Sequence, residues 1–222
     1  MKGEKNIIMK YFISDIHFGE KKFTTSKNLN GDKNKLYSLT LDEYDKFIID
    51  NWNNRVNDND DVYIVGDLSW YKLSKTISLV KQLKGKKHLI VGNHDERFLD
   101  SKEFCKLFIE IKKYKELYIN DYLSIILCHY PIPAFKNAKY GWIHLYGHVH
   151  NGSEWDIIER TKTNYEKLYR RNIDMYNVGI MLPYIDFYPR TISEIKRGYC
   201  EVKPREYSSV KKNNNDSNNI YY

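Results

Sequence analysis

Residues 62–95 read VYIVGDLSWYKLSKTISLVKQLKGKKHLIVGNHD. Val62 to Gly66 is a short apolar run stopped by Gly66-Asp67, and His88 to Gly92 repeats that arrangement ahead of Asn93-His94-Asp95. Both runs have the length and β-branched content of buried strands. Between them, Ser74 to Leu83 places Ile77, Val80 and Leu83 at helical spacing, with Gly85 as the stop. Strand, helix and strand in succession predict an α/β fold, whose ligand sites form where loops leave the carboxyl ends of the strands.

The same punctuation recurs on either side. Tyr11 to Ser14, Leu123 to Cys128 and Ile143 to Gly147 read as further buried strands. Thr40-Leu-Asp-Glu43 is a capping-box pattern, and it opens a run with Leu41, Tyr44, Phe47, Ile48 and Trp52 on one face, suited to packing on a sheet. A third helix is expected over about Ser101 to Tyr114.

The chain has 222 residues, 41% hydrophobic and 29% charged, which suits one soluble domain over residues 1–207. Residues 208–222, with an Asn-rich run, lack the hydrophobicity to offset ordering entropy and are expected to be a disordered tail. The net charge of +7 invites a nucleic-acid reading, but +2 of it lies in residues 1–10 and +3 in residues 196–222, leaving +2 for the body. Three widely spaced cysteines, Cys105, Cys128 and Cys200, suit free thiols in the cytoplasm rather than a disulfide framework. No apolar run approaches the roughly 18 residues of a membrane span, so no membrane association is expected. No G-x-x-x-x-G-K-[ST] or G-x-G-x-x-G motif occurs, which argues against a nucleotide-driven motor or a Rossmann oxidoreductase.

Five of the seven histidines lie in short motifs beside Asp, Asn or Gly. These are Asp15-Ile-His17, Gly92-Asn-His94-Asp95, the lone His129, and Gly147-His-Val-His150, joined by Gly66-Asp67. On an extended segment, Asp15 and His17 point the same way, as do His148 and His150. Each pair can grip one ion, and Asp67 can bridge two. Carboxylate, imidazole and amide without thiolate suit first-row divalent metals. His88 and His144 fall inside strand-like runs and read as structural.

In this order and spacing the motifs resemble those of the calcineurin-like metallophosphoesterase superfamily: D-x-H, GD, GNH[DE], a lone H and GHxH. The resemblance covers about residues 9 to 180, and its details look like the small bacterial and phage members. It implies a layered α/β/β/α sandwich. It also implies that Asp15, His17, Asp67 and His150 hold one metal ion, and that Asp67, Asn93, His129 and His148 hold the other. The two divalent ions are expected to be manganese, with iron, zinc, cobalt, nickel or magnesium as alternatives. Two such ions, two carboxylates and a bridging hydroxide leave a net charge of about +1, which draws in an anionic phosphate. The implied function is hydrolysis of a small phosphomonoester, phosphodiester or nucleotide by the bridging hydroxide. A nuclease using the same site and a non-catalytic binding module of the same fold are the alternatives.

The resemblance also assigns His94 to substrate contact and protonation of the leaving oxygen. In Ser/Thr protein phosphatases the GD motif continues as GDxxDRG, and its later Asp orients that histidine; here the chain reads Gly66-Asp-Leu-Ser-Trp70. Asp95 is the candidate replacement, with binding to the backbone as its alternative. Trp70 either stacks on a base at the rim or packs a loop. Arg97 either steadies a phosphate, together with Asn93, or pairs with Glu96 or Asp100. Residues Arg160 to Arg171 are the best nucleic-acid signal, read equally well as the solvated basic face of a helix. The Phe18 to Leu39 loop is where substrate selection is expected.

Overall fold

A computed structural model describes residues 8–25, 36 and 38–201. In chain order the elements are β1 (Lys10–Ile13), α1 (Lys21–Thr25), α2 (Leu41–Asn53), β2 (Asp61–Ile64), α3 (Leu73–Val80), β3 (Lys86–Ile90), α4 (Lys102–Cys105), β4 (Glu110–Lys112), β5 (Tyr114–Asn120), β6 (Leu123–Cys128), β7 (Ile143–Tyr146), α5 (Ser153–Tyr169), β8 (Met175–Asn177) and α6 (Ile192–Glu201). β1 to β4 form one sheet in sequence order, all parallel. β5 to β8 form a second, with β5 antiparallel to β6 and the remaining pairs parallel. The sheets are stitched at one end, where Ser14 N donates to Val178 O at 2.9 Å and Ile180 N donates to Ser14 O at 3.0 Å. This two-sheet α/β arrangement agrees with the layered sandwich expected from sequence.

Strands buried on both faces explain the apolar runs: Ile13, Ile64, Leu89, Ile125, Leu127 and Leu145 are wholly inaccessible. α2 begins at the expected capping box. Thr40 Oγ1 accepts from Glu43 N at 3.2 Å and Glu43 Oε2 accepts from Thr40 N at 2.7 Å, a cap worth about 1 kcal/mol. Its inner face buries Tyr44, Ile48 and Trp52. The same face reaches the segment after β1: Tyr44 Oη donates to Ile16 O at 2.6 Å, and Asp45 Oδ1 accepts from Gly19 N at 3.1 Å. On the second sheet, Ile126, Tyr146 and Met175 pack with Phe135 under Trp155, Ile158 and Tyr165 of α5.

Three expectations change. The helix expected to reach Leu83 stops at Val80, although Leu83 stays buried in the turn that follows. The helix expected over Ser101 to Tyr114 is one turn, α4. Ser101 Oγ does cap it, accepting from Phe104 N at 3.2 Å. Beyond it, β3 offers unpaired backbone groups, and the chain turns to meet them, with Ile109 N donating to Lys87 O and Val91 N to Lys112 O, both at 2.8 Å. Edge pairing for β-branched Ile109 and Ile111 outweighs continuing a helix. The basic run of α5 is partly turned inward: Lys162 Nζ donates to Met175 O at 2.8 Å and sits 4.0 Å from the Tyr199 ring centroid.

The polar tail lies outside the described residues, as does most of the Phe18 to Leu39 loop beyond α1. Cys105, Cys128 and Cys200 are free. Among the described residues, no helix is long and apolar enough to cross a membrane.

His88 and His144 are structural, as read. His88 bridges β2 and β4, with Nε2 at 3.0 Å from Asp61 Oδ1 and Nδ1 at 2.9 Å from Glu110 Oε1. His144 is fully buried. Its Nε2 lies 3.1 Å from Ile132 N and 3.2 Å from Tyr130 O, and its Nδ1 lies 3.2 Å from Ile126 O. Burial lowers its pKa to about 4. The unfolded ring binds a proton near pH 6.5, so this site's contribution is complete above that value and is lost as pH falls towards 4. It amounts to roughly 3 kcal/mol. We expect urea-unfolding free energies of the parent to fall more steeply between pH 6.5 and 4 than those of a His144→Phe variant. Parallel curves would refute the assignment.

Candidate metal centre

The motif residues sit where they were expected, just past the carboxyl ends of β1, β2, β3, β6 and β7, but the backbone there is not extended. Asp15, His17, Asp67, His148 and His150 all have left-handed φ, between 47 and 72°. Non-glycine residues pay about 1–3 kcal/mol each for such conformations. The paired side chains converge because the chain coils tightly after each strand, and not because alternate residues of a strand share a face.

Backbone hydrogen bonds hold these coils together. Asp15 N donates to Gly66 O, His17 N to Asp67 O and Phe18 N to Leu68 O, at 3.0 to 3.1 Å. Gly147 N donates to His129 O at 2.9 Å. Such close approach demands glycine: a Cβ on Gly92 would strike the Asp67 carboxylate, and one on Gly147 would strike Ser14 Oγ and Asp15 Oδ2.

Two groups of side chains could each hold a metal ion, Asp15 with His17 and His150, and Asp67 with His129 and His148, every group having its ligand atoms within 4.8 Å of one another. Asn93 Oδ1 joins the second group, 3.2 Å from His129 Nε2 and 3.1 Å from His148 Nδ1. Asp67 Oδ2 lies 3.3 Å from His129 Nε2 and 3.8 Å from His17 Nε2. The donor set of carboxylate, imidazole and amide fits a first-row divalent cation. His17 Nε2 fits it too, being buried with no hydrogen-bond partner and 3.8 Å from both Asp15 Oδ1 and Asp67 Oδ2.

Protonation follows from burial and pairing. Burial raises the Asp15 carboxyl to about 7, against the pull of His129 and the Ser14 hydroxyl. Burial would also raise Asp67, but its hydrogen bond to His129 and the charge of that ring hold it at about 2. His129 is raised to about 9 by the same pair, overcoming a burial effect of opposite sign. Burial lowers His17 to about 3 and His150 to about 4, leaving both rings neutral and able to act as ligands. A cation entering beside Asp67 must displace the His129 proton.

The remaining candidates divide. His94 lies at the mouth, its Nε2 3.9 Å from Asp67 Oδ2 and its backbone N donating to Asp67 Oδ1 at 3.0 Å. Trp70 is also at the mouth, 43% exposed, with its ring 4.2 Å from that of His94. Asp95 does not orient His94. Its buried carboxylate accepts from Gly92 N, Asp67 N and Leu68 N, each at 2.9 Å, clamping the turn after β3 to the turn after β2. Arg97 is hydrogen-bonded to backbone rather than to Glu96 or Asp100. Its Nη2 donates to Ser69 O at 2.6 Å and Tyr71 O at 3.3 Å, bracing the Trp70 loop.

Sequence reading passed over three contributors. Ser14 Oγ donates to Asp15 Oδ2. Glu20 Oε2 lies 3.2 Å from His17 Nδ1. Asn177 Nδ2 donates to His150 O at 2.7 Å while its Oδ1 accepts from Gly179 N at 2.9 Å. β8 has three residues, too few to show a period, and Asn177-Val-Gly179 at its end was the available cue.

Asp95→Asn removes one of two carboxylate oxygens that together serve three buried N–H groups, and turns an amide N–H towards donors. We expect a loss of about 3 kcal/mol in urea unfolding. A variant of unchanged stability but reduced activity would instead return Asp95 to a catalytic role.

The chain is 34% identical over 142 residues to an uncharacterised protein of Methanocaldococcus jannaschii, covering 63% of this chain and 68% of that one. It is 25% identical over 178 residues to the Gene 66 protein of Mycobacterium phage D29, covering 69% and 82% respectively. The crystal structure of a protein of unknown function from Aquifex aeolicus superposes with a TM-score of 0.58 at 27% identity, over 86% of this chain and 99% of that one. The calcineurin-like phosphoesterase model matches residues 11–188, and the chain belongs to that family.

Proposed function

We propose that this chain hydrolyses phosphate esters at a binuclear divalent metal centre. The observation that carries the reading is the place of Asp67 Oδ2, which faces His129 Nε2 of one group at 3.3 Å and His17 Nε2 of the other at 3.8 Å. Asp15, His17, His150 and Asp67 would hold one ion, and Asp67, Asn93, His129 and His148 would hold the second. Bound divalent ions, manganese foremost, supply Lewis acidity towards phosphate oxygens and make hydroxide available near neutral pH.

The chain's own groups do the rest. Asn93 contributes an oxygen without a third negative charge, so the centre stays attractive to a phosphate anion. His94, partly exposed and with its backbone N–H donating to Asp67 Oδ1, protonates the leaving oxygen. Trp70 offers an exposed flat face beside it, suited to an aromatic or base-like portion of the substrate. The substrate is a small phosphomonoester, phosphodiester or nucleotide, and three free thiols support a cytoplasmic setting. A polymer substrate is not favoured, because Lys162 of the basic run is engaged inside the protein and Arg171 Nη1 donates to Lys139 O at 2.9 Å.

With added Mn²⁺, the purified protein should cleave p-nitrophenyl phosphate or its bis ester, and Asp67→Ala should abolish the reaction; no turnover above that variant on either ester sinks the proposal. His94→Ala should slow alkyl phosphate esters by about 10²- to 10⁴-fold and p-nitrophenyl esters far less, since p-nitrophenolate leaves without a proton. Equal losses on both would remove His94 from the proton-donor role.

A further inference from the structure

A second aromatic ring joins Trp70 at the edge of the centre. Tyr130, the residue after His129, is 46% exposed. Its ring stands against both histidines of the second ligand group, 4.8 Å from the His148 ring at 67° and 5.2 Å from the His129 ring at 73°. Trp70 stands against the other group, 6.0 Å from the His17 ring and 4.2 Å from that of His94. Each group of ligands therefore has one partly exposed aromatic ring beside it. Tyr130 is also held firmly. Its carbonyl O lies 3.2 Å from Nε2 of the buried His144, the same nitrogen lies 3.1 Å from Ile132 N, and Pro131 and Pro133 restrict the backbone that follows. A ring fixed before a ligand arrives loses little freedom when one binds.

We propose that Tyr130 is a substrate-contact residue, the second wall of a two-walled mouth that selects phosphodiesters carrying a flat, base-like group on each ester oxygen. The proposal rests on the phosphoesterase reading above and narrows its substrate. A monoester carries one organic group, for which Trp70 suffices. A diester carries two, and tetrahedral phosphorus sends them apart, one towards each ring. Stacking on an aromatic side chain favours any base, whatever its hydrogen-bonding edge, so two rings select for shape on both sides of the phosphate. Trp70 lies beside His94, the proton donor of that reading. The group on Trp70 is therefore the one that leaves: its P–O bond breaks, its oxygen takes a proton from His94, and an oxygen from water replaces it on phosphorus. The group on Tyr130 stays with the phosphate.

The test uses two diesters with one leaving group, phenyl p-nitrophenyl phosphate and methyl p-nitrophenyl phosphate, and reads the ratio of their kcat/KM values, each divided by its uncatalysed rate. With Mn²⁺ present, the parent should prefer the phenyl ester by about 5- to 150-fold. Tyr130→Ala should bring the ratio close to one, and Tyr130→Phe, which keeps the ring, should hold it. Trp70→Ala, which acts on the p-nitrophenyl group common to both esters, should slow both and keep the ratio. Calorimetric titration with diphenylphosphinate and methyl(phenyl)phosphinate, which have no ester bond to break, should show the same preference in the parent and its loss in Tyr130→Ala. A Tyr130 that only props His148 would instead make both esters suffer equally in Tyr130→Ala. That result, or a parent ratio near one, overturns the proposal. If the parent cleaves neither ester, the phosphoesterase reading falls, and the phosphinate titration decides this one: a preference that Tyr130→Ala abolishes upholds it, and equal or absent binding overturns it.

Discussion

The Asp15 carboxylate closes the seam between the two sheets. It hangs from the end of β1 in the first sheet, yet both its oxygens lie 3.1 to 3.2 Å from His148 N, at the end of β7 in the second. Ser14 secures it from one side, and Gly147 packs so closely that a methyl group would collide with it. Five loops from two sheets can meet at one place only if the seam stays shut. The backbone bonds from Ser14 to Val178 and Ile180 lie on the same seam, so the fold is tightest where its ligands cross.

That tightness costs energy that must come from elsewhere. Five left-handed non-glycine residues and several buried ionisable groups are concentrated in one end of the molecule. The cores around them offset the strain: Phe12, Ile13, Tyr44, Trp52 and Ile64 beneath the first set of loops, Ile126, Tyr146 and Met175 beneath the second. Asp95 belongs to this supporting structure. Its three backbone acceptor contacts turn what looked like a catalytic carboxylate into the pin that joins two ligand-bearing turns.

The sequence made the site residues legible because each is a polar residue set directly after an apolar run, where a strand must end. The reason for their convergence was not legible, since left-handed coils in Asp and His carry no compositional mark and extended geometry was the natural assumption. Strands β1, β2, β3, β6 and β7 were visible as continuous apolar runs, whereas β4, β5 and β8 were not. β4 has three residues and exists through pairing with β3; β5 mixes exposed Tyr114 and Tyr118 with buried Leu117. Glu20 and Arg97 show the limit most plainly. Nothing next to either in the chain reveals that one faces His17 and the other braces the Trp70 loop.

Depth separates the jobs of the seven histidines. His144 is sealed in by Ile126 and Ile132, and the inner nitrogen of His129 by a 2.8 Å contact of Nδ1 with Val65 O. His17 is as buried, but its outward nitrogen accepts from Trp70 of a neighbouring loop at 2.7 Å and lies 3.2 Å from Glu20 of its own turn. His94 and His150 are partly open, with about a third of each side chain accessible. Asn93 is exposed and His148 partly so. Each group therefore has a buried side and an open edge, the edge being His150 in one and Asn93 with His148 in the other. In the reading proposed above, a phosphate ester meets His94 and Trp70, whose rings lie 4.2 Å apart, before it reaches the carboxylates.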